Sequence, residues 1–91
     1  MQKVPEVRRA WQVYILRCVD GTLYTGITID LEKRLDAHER GVAAKYTRHR
    51  RPVRLAYREP QPDRGSALKR EAALKKMGRA GKLALISSSG P

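Results

Sequence analysis

The sequence predicts an α+β domain, in which a small β-sheet packs against separate helices. Two neighbouring segments rich in β-branched and aromatic residues lie between residues 11 and 29, and the Asp20-Gly21 dipeptide between them is a strong hairpin signal. Two later segments, 30–40 and 63–77, have helical periodicity and begin with an aspartate suited to cap the first turn. A hairpin combined with separate helices is typical of the α+β class.

The turn of the hairpin decides which side chains share a face of the sheet. A two-residue loop would place Tyr14 and Tyr24 on opposite faces, because side chains alternate along a strand. A three-residue loop, with Gly21 in a left-handed bulge position, places both tyrosines on one face and Gly26 opposite Tyr14. We expect this loop, because it also groups the apolar residues of the other face into one core. That core face carries Trp11, Val13, Ile15, Val19, Leu23, Ile27 and Ile29.

The helix that begins after Asp30 is expected to run to Arg40 and to end at Gly41. Its apolar stripe brings Arg34 and His38 together, because residues four apart lie on one side of a helix. An arginine can bind a phosphate through two parallel hydrogen bonds, and a neutral histidine can pass a proton near pH 7. The alternative is a solvated arginine beside a histidine packed under the helix.

The remaining elements follow from proline and glycine positions. Residues 42–51 are basic and allow either a short helix or a loop. Residues 53–59 alternate as a third strand does, and Pro60 limits it. A helix over residues 63–77 should stop at Gly78, and a weaker helix is expected over residues 82–87.

Glu71 stands out in the second long helix. A helical wheel places it between Ala67, Leu68 and Leu74, at the centre of the apolar stripe. Ionised carboxylates are seldom buried without a cation or a metal ion. We therefore expect Glu71 to meet an arginine, a lysine or a metal ion, and a salt bridge to Arg34 is the structural alternative.

The size of the chain limits it to one domain. A chain of 91 residues buries only about 60 to 65% of the surface that its unfolded form exposes, so two folded domains are excluded. Apolar residues at 41% and charged residues at 32% favour a globular fold. Residues 1–10 lack periodicity and residues 87–91 are small and polar, so we expect flexible ends around a domain over residues 11–86.

The charge balance points to a polyanionic partner. Lys and Arg number 20 against 9 Asp and Glu, which gives a net charge of +11. Nucleic acid is the partner that such a charge favours, with a solvated surface or attraction to anionic membranes as the alternatives. The basic stretch around residue 50 could follow a phosphate backbone, and its tyrosine could stack on a base, although the stretch could also be a solvated loop. The candidate nucleic-acid-binding residues are Lys45, Tyr46, Arg48, Arg50, Arg51 and Arg54.

Cysteine usage and hydropathy indicate the compartment. Cys18 is the single cysteine and cannot form an internal disulfide, which favours a reduced, cytoplasmic setting. No apolar stretch approaches the roughly 20 residues of a membrane span, and residues 1–12 lack the apolar segment of a signal peptide. We therefore expect no membrane association.

Taken together, these residues resemble the GIY-YIG endonucleases, particularly their small stand-alone bacterial members. Val13-Tyr14-Ile15 stands where the family has its Gly-Ile-Tyr block, and Tyr24-Thr25-Gly26 matches the Tyr-Ile-Gly block ten residues on. Arg34 and His38 match the family's Arg-x-x-x-His helix, and Glu71 matches its helix glutamate. The glycine and isoleucine of both blocks are partly replaced, and a late asparagine of some DNA-cleaving members has no counterpart.

The resemblance implies a fold, a chemistry and a cofactor. The fold would be a three-stranded antiparallel sheet with helices packed on it. Tyr14 would act as general base or water positioner with Tyr24 orienting it or the phosphate, and Glu71 would hold one Mg²⁺ or Mn²⁺. Arg34 would stabilise the charged transition state, and His38 would assist proton transfer.

The activity implied is endonucleolytic hydrolysis of structured, nicked or single-stranded DNA, in repair or recombination. DNA is expected ahead of RNA, and the oligomeric state is left open between a monomer and a weak dimer. The alternative is a DNA- or RNA-binding module that has kept the fold and the basic surface without catalysis.

Overall fold

The computed structural model describes residues 10–89, which form one three-stranded antiparallel sheet with helices on both faces. The strand order is β2-β1-β3, so β1 is central. The fold class expected from the sequence is confirmed, and residues 1–9 and 90–91 of the expected flexible ends lie outside the described residues. In chain order the elements are β1 (Trp11–Arg17), β2 (Leu23–Thr28), α1 (Leu31–Glu39), α2 (Lys45–Arg48), β3 (Arg54–Gln61) and α3 (Arg64–Ser89).

The hairpin has the three-residue loop expected from its sequence. Tyr14 pairs directly with Gly26, and Leu16 pairs with Tyr24. Gly21 closes the turn at a φ of 85°, donating its amide hydrogen to the carbonyl of Cys18 at 2.9 Å. A positive φ is readily adopted by glycine, which lacks a Cβ. The register therefore places both tyrosines on one face of the sheet, as predicted.

The aspartates cap both long helices, as the sequence indicates. The side chain of Asp30 accepts a hydrogen bond from the amide of Lys33 at 3.1 Å, and that of Asp63 accepts one from the amide of Ser66 at 2.7 Å. α1 ends at Glu39, one residue before the expected end. The ambiguous basic segment contains the short helix α2.

The later elements differ from the expectations at three points. β3 passes through Pro60 to Gln61, because an edge strand has one side without ladder hydrogen bonds and so tolerates a proline. Gly78 interrupts α3 at the expected position with a φ of 77°, but the chain resumes helical geometry directly after it and not at residue 82. The last helical segment continues to Ser89, so residues 87–89, which we assigned to a flexible tail, are helical.

Both faces of the sheet are buried, whereas the sequence analysis assigned the core to one. The face toward α3 carries Val13 and Ile15 of β1, packed on Ala67 and Leu74. The face toward α1 carries a second apolar cluster of Tyr14, Leu16, Cys18, Leu31 and Val53. The uninterrupted run 13–16 was the available signal, because a central strand covered on both faces is apolar at every position.

Three residues assigned to the core are exposed. Val19 lies in the hairpin turn and is 63% exposed, while Ile29 lies just beyond the end of β2. Leu68 falls at the edge of the α3 stripe, of which only Ala67 and Leu74 are buried. Within residues 10–89, no helix has the length and apolar character needed to cross a bilayer.

Candidate active site

Tyr14 lies at the centre of the α1 face of the sheet. Its side chain is 2% exposed, and its hydroxyl oxygen lies 2.9 Å from Nε2 of His38. The strand register directs Tyr14 toward α1, and His38 lies in the last turn of that helix. The sequence prediction that these two residues share a site is thus realised as a direct hydrogen bond.

The other ring nitrogen of His38 bonds to Thr47, which the sequence analysis did not single out. Nδ1 lies 2.8 Å from the Thr47 hydroxyl, and both side chains are fully buried. That hydroxyl can donate its one hydrogen to the Ala44 carbonyl at 3.3 Å. The tautomer that satisfies every group therefore has Nδ1–H donating to Thr47 and the Tyr14 hydroxyl donating to Nε2.

Burial fixes the protonation states of this pair. It raises the pKa of the Tyr14 hydroxyl, and Tyr24 and Glu71 raise it further while the Arg34 charge opposes them. Burial also lowers the pKa of His38, and the charge of Arg34 adds to this effect. At neutral pH the pair is a neutral phenol donating to a neutral imidazole. The charge of Arg34 lowers the pKa of Tyr14, but burial outweighs this effect.

Stability should depend on pH through His38. Its folded-state pKa lies below the unfolded value of about 6.5, so the unfolded chain takes up the proton first. The contribution of His38 to the free energy of unfolding should then be fully present above about pH 7 and should be lost as the pH drops through 6.5. Melting temperatures measured from pH 7.5 to 5.5 should decline in the wild type and decline less in His38→Gln. Equal declines would contradict a neutral buried His38.

An aromatic cluster surrounds the Tyr14–His38 pair. The Tyr24 ring centroid lies 6.5 Å from that of Tyr14 and 5.3 Å from that of His38. Tyr46 stacks on the outer side of this group, 5.9 Å from Tyr24 with an interplanar angle of 25°. The cluster leads from the buried phenol of Tyr14 to the half-exposed ring of Tyr46.

Gly26 leaves the space that the Tyr14 hydroxyl occupies. A Cβ at this position would lie 2.7 Å from the Tyr14 hydroxyl oxygen. Tyr14 cannot easily move away, because it is buried and bonded to His38.

Substituting Gly26 should therefore damage both stability and the site. Gly26→Ala is expected to lose about 1 to 3 kcal/mol of unfolding free energy, as overpacked cores do. Gly65→Ala is the matched control, because its Cβ would meet nothing closer than 3.6 Å. The control should be neutral or stabilised by up to about 1 kcal/mol. Thermal melting of both variants checks this, and an unaffected Gly26→Ala would contradict the close packing.

Arg34 and Glu71 are the charged groups of the site. The Arg34 side chain is exposed and has no hydrogen bond or ion pair with residues 10–89. The Glu71 side chain is 20% exposed, and its Oε2 lies 3.2 Å from Nζ of Lys75. The structural alternative, a salt bridge between Glu71 and Arg34, is therefore not observed. Both charges act on the Tyr14 hydroxyl, Arg34 lowering and Glu71 raising its pKa.

The carboxylate of Glu71 suits a hard cation such as Mg²⁺ that binds the protein through few atoms. Within the described part of the chain no three His, Cys, Asp or Glu side chains converge, so a complete protein cage is absent there. The carboxylate of Glu71 is largely shielded from solvent, whereas its partner Lys75 is 57% exposed. Mg²⁺ commonly binds through one or two carboxylates, waters and substrate phosphates, and Glu71 could supply one such carboxylate.

Much of the basic segment serves the fold. Arg51 donates to the carbonyls of Arg48 and Glu39 at 3.0 Å, which ties the ends of α2 and α1 together. Arg50 donates to Asp20 and covers the Tyr46 ring, with its guanidinium carbon 3.9 Å from the centroid. The Tyr46 ring, which was expected to stack on a base, therefore already contacts Arg50 on one side and Tyr24 in the same chain. Of the six residues predicted to bind nucleic acid, three have exposed side chains without a hydrogen bond or ion pair to residues 10–89, namely Lys45, Arg48 and Arg54. Arg54 pairs with Arg17 and so lies on the sheet face opposite Tyr14.

Comparisons with known proteins identify the relatives of this chain. The family described as the GIY-YIG catalytic domain matches residues 10–84. A UPF0213 protein of Desulfotalea psychrophila is 47% identical over 90 residues, covering 98% of this chain and 82% of the relative. One from Syntrophus aciditrophicus is 54% identical over 78 residues, covering 85% and 90%. The solution NMR structure of a UPF0213 protein from Bacillus halodurans has a TM-score of 0.58 at 41% identity, covering 88% of this chain and 85% of that one.

Proposed function

Because the chain belongs to the GIY-YIG nuclease family, we propose that it is a metal-dependent endonuclease that hydrolyses phosphodiester bonds in DNA. The observation that carries the proposal is the hydrogen bond from Tyr14 to His38, enclosed by Tyr24 and flanked by the charges of Arg34 and Glu71. Phosphodiester hydrolysis needs an activated water, a cation for the charge on the phosphate and help for the leaving oxygen.

The first step that these residues support is proton transfer from the attacking water. The Tyr14 oxygen accepts a proton from water as its own proton moves along the 2.9 Å bond to Nε2 of His38. His38 can accept it because Nε2 of the neutral imidazole is unprotonated, while Nδ1 keeps its hydrogen and donates it to the Thr47 hydroxyl. Tyr14 thereby acts as a base without existing as a free phenolate in the resting protein.

The second requirement is stabilisation of charge on the phosphate. Arg34 is exposed and uncommitted within residues 10–89, so its guanidinium is available for two parallel hydrogen bonds to phosphate oxygens. Glu71 would hold one Mg²⁺ or Mn²⁺, which supplies Lewis-acid polarisation of the phosphate when bound. Tyr24 orients the Tyr14 ring through their contact in the aromatic cluster.

DNA is the preferred substrate in this proposal, and the cytoplasm is the setting, with repair or recombination as the process. The +11 charge supports a phosphate-tracking surface. The second candidate function is a binding module without catalysis. It is favoured by the raised pKa of Tyr14, since a buried neutral phenol bonded to a histidine also suits a purely structural role.

One experiment separates the two functions. Purified protein is incubated with labelled single-stranded, nicked and branched DNA, and with matched RNA, with and without Mg²⁺ or Mn²⁺. The nuclease predicts metal-dependent shortening of DNA that EDTA abolishes. Binding to the same substrates without any cleavage in either metal would support the module and contradict the nuclease.

A further inference from the structure

A pair of like charges lies on the sheet face opposite Tyr14. Arg17 at the end of β1 pairs directly with Arg54 at the start of β3. Arg17 shares the parity of Val13 and Ile15, so both arginines are on the α3 face, and both are exposed. Like charges placed directly opposite each other destabilise a sheet, so this arrangement has a cost that its own contacts do not offset.

A cationic cleft adjoins this pair. On the side of β1 away from β3, Arg17 pairs with Leu23 of β2. Leu23 also lines a cleft of about 270 Å³ between the hairpin and α3. The cleft is lined as well by Arg79 and Lys82 of α3, with Thr22 at its edge. Three elements, β1, β3 and α3, therefore bring cations together at the hairpin end of the sheet.

Carboxylates do not neutralise this group. Among residues 10–89, Arg17, Arg54 and Lys82 form no ion pair, and Arg79 donates to the backbone carbonyl of Gly21 at 2.7 Å. The acid nearest in sequence to the turn, Asp20, already accepts from Thr22 and Arg50. Lys82 is half-buried, and burial together with the charge of Lys75 lowers the pKa of its amine.

We propose that Arg17, Arg54, Arg79 and Lys82 form a second contact surface for the phosphate backbone of nucleic acid, on the face opposite Tyr14. The proposal rests on the proposed function for the first face. A single strand held at Tyr14 lies on one face of the sheet, whereas a branched or flapped duplex has a second arm whose phosphates can reach the other face. The surface therefore selects substrates with a second arm.

Binding measurements with a charge-removed variant test the second surface. Arg17→Gln/Arg54→Gln/Lys82→Gln keeps Arg79, which stabilises the hairpin turn. Its affinity for a labelled branched DNA should fall at low salt. The slope of log affinity against log salt should become less steep by about 2 to 3, roughly one per lost phosphate contact. Affinity for a short single strand held at Tyr14 should change little, because the strand register places Arg17 and Arg54 on the opposite face and Lys82 belongs to the helix that covers it.

The matched control removes the same charge elsewhere. Lys33→Gln/Lys69→Gln/Lys76→Gln takes three exposed lysines from outside the second surface. Its salt slope with branched DNA should change by less than about 1. Equal changes in the two triple variants, or an equal loss on single-stranded and branched DNA, would overturn the proposal, because net charge alone would then explain binding. Anionic phospholipid vesicles competing away the branched DNA would also overturn it.

Melting temperatures distinguish a loss of binding from a loss of folding. Arg17→Gln alone relieves the repulsion with Arg54, so its melting temperature should rise by about 1 to 4 °C while its salt slope falls by about 1. A lower melting temperature would show that Arg17 has a counter-charge and would contradict the proposal. All these readouts measure binding without cleavage, so absence of nuclease activity would remove the proposed function without altering their outcome.

Discussion

The Glu71→Gln variant is expected to lose metal-dependent cleavage by about 10²-fold or more and to keep its nucleic-acid binding. The substitution preserves size and removes the one carboxylate positioned to hold the cation, whose contribution to the transition state is several kcal/mol. Binding should survive or improve, because a negative charge facing the phosphate is removed. Cleavage rates at saturating Mg²⁺ and affinities in EDTA are the measurements.

Stability distinguishes this role from a structural one. Glu71 pairs with Lys75 four residues on, and helical pairs at this spacing contribute about 0.3 to 0.5 kcal/mol when they are exposed. Asp36→Asn is the matched control, since Asp36 pairs with Arg40 at the same helical spacing outside the site. Both variants should melt within a few degrees of the wild type, and Asp36→Asn should cleave normally. Full cleavage by Glu71→Gln would remove the metal-binding assignment.

The Tyr14→Phe variant should lose cleavage by about 10² to 10⁴-fold, the range expected when a group that transfers a proton is removed. Phenylalanine fills the same space but leaves Nε2 of His38, fully buried, without its hydroxyl partner. An unsatisfied buried group costs about 1 to 3 kcal/mol, so the variant should fold with a lower melting temperature. Single-turnover rates and thermal melting are measured on the same preparation.

Tyr57→Phe controls for the loss of a tyrosine hydroxyl as such. Tyr57 packs on the α3 face and its hydroxyl donates to Glu59 at 2.6 Å, away from the Tyr14–His38 pair. It should lose some stability and retain cleavage. If both variants slow cleavage equally, the effect of Tyr14→Phe would reflect destabilisation, and the relay to His38 would be wrong.

The sheet and its register were accessible from sequence because local chemistry decides them. The turn at Gly21 requires a positive φ, and the alternation on either side then sets the pairing of Tyr14 with Gly26. The caps at Asp30 and Asp63 are likewise local. The helical segment after Gly78 was placed less well, because its ordering depends on packing of Leu85 against the sheet.

The proximity of the candidate residues was predictable from sequence, whereas their contacts were not. The helical spacing brought Arg34 and His38 together, but nothing local showed that His38 would turn its second nitrogen to Thr47 nine residues away. Of the partners expected for Glu71, the structure shows a lysine, because Lys75 lies at the preferred spacing of four and Arg34 belongs to another helix. From sequence, Arg51 was expected to be available to bind nucleic acid. Only the fold brings the backbone carbonyls of Arg48 and Glu39, at two helix ends, within hydrogen-bond distance of its side chain.

We propose that Tyr14 and Glu71 act together in metal-dependent hydrolysis. A Mg²⁺ titration of single-turnover DNA cleavage tests this joint role. Wild type, Glu71→Gln and Tyr14→Phe are compared at equal substrate saturation. We expect a saturable Mg²⁺ dependence in the wild type, a weakened or absent dependence in Glu71→Gln, and an unchanged Mg²⁺ midpoint with a much lower rate in Tyr14→Phe. Cleavage by either variant at the wild-type rate and Mg²⁺ midpoint would contradict the joint role.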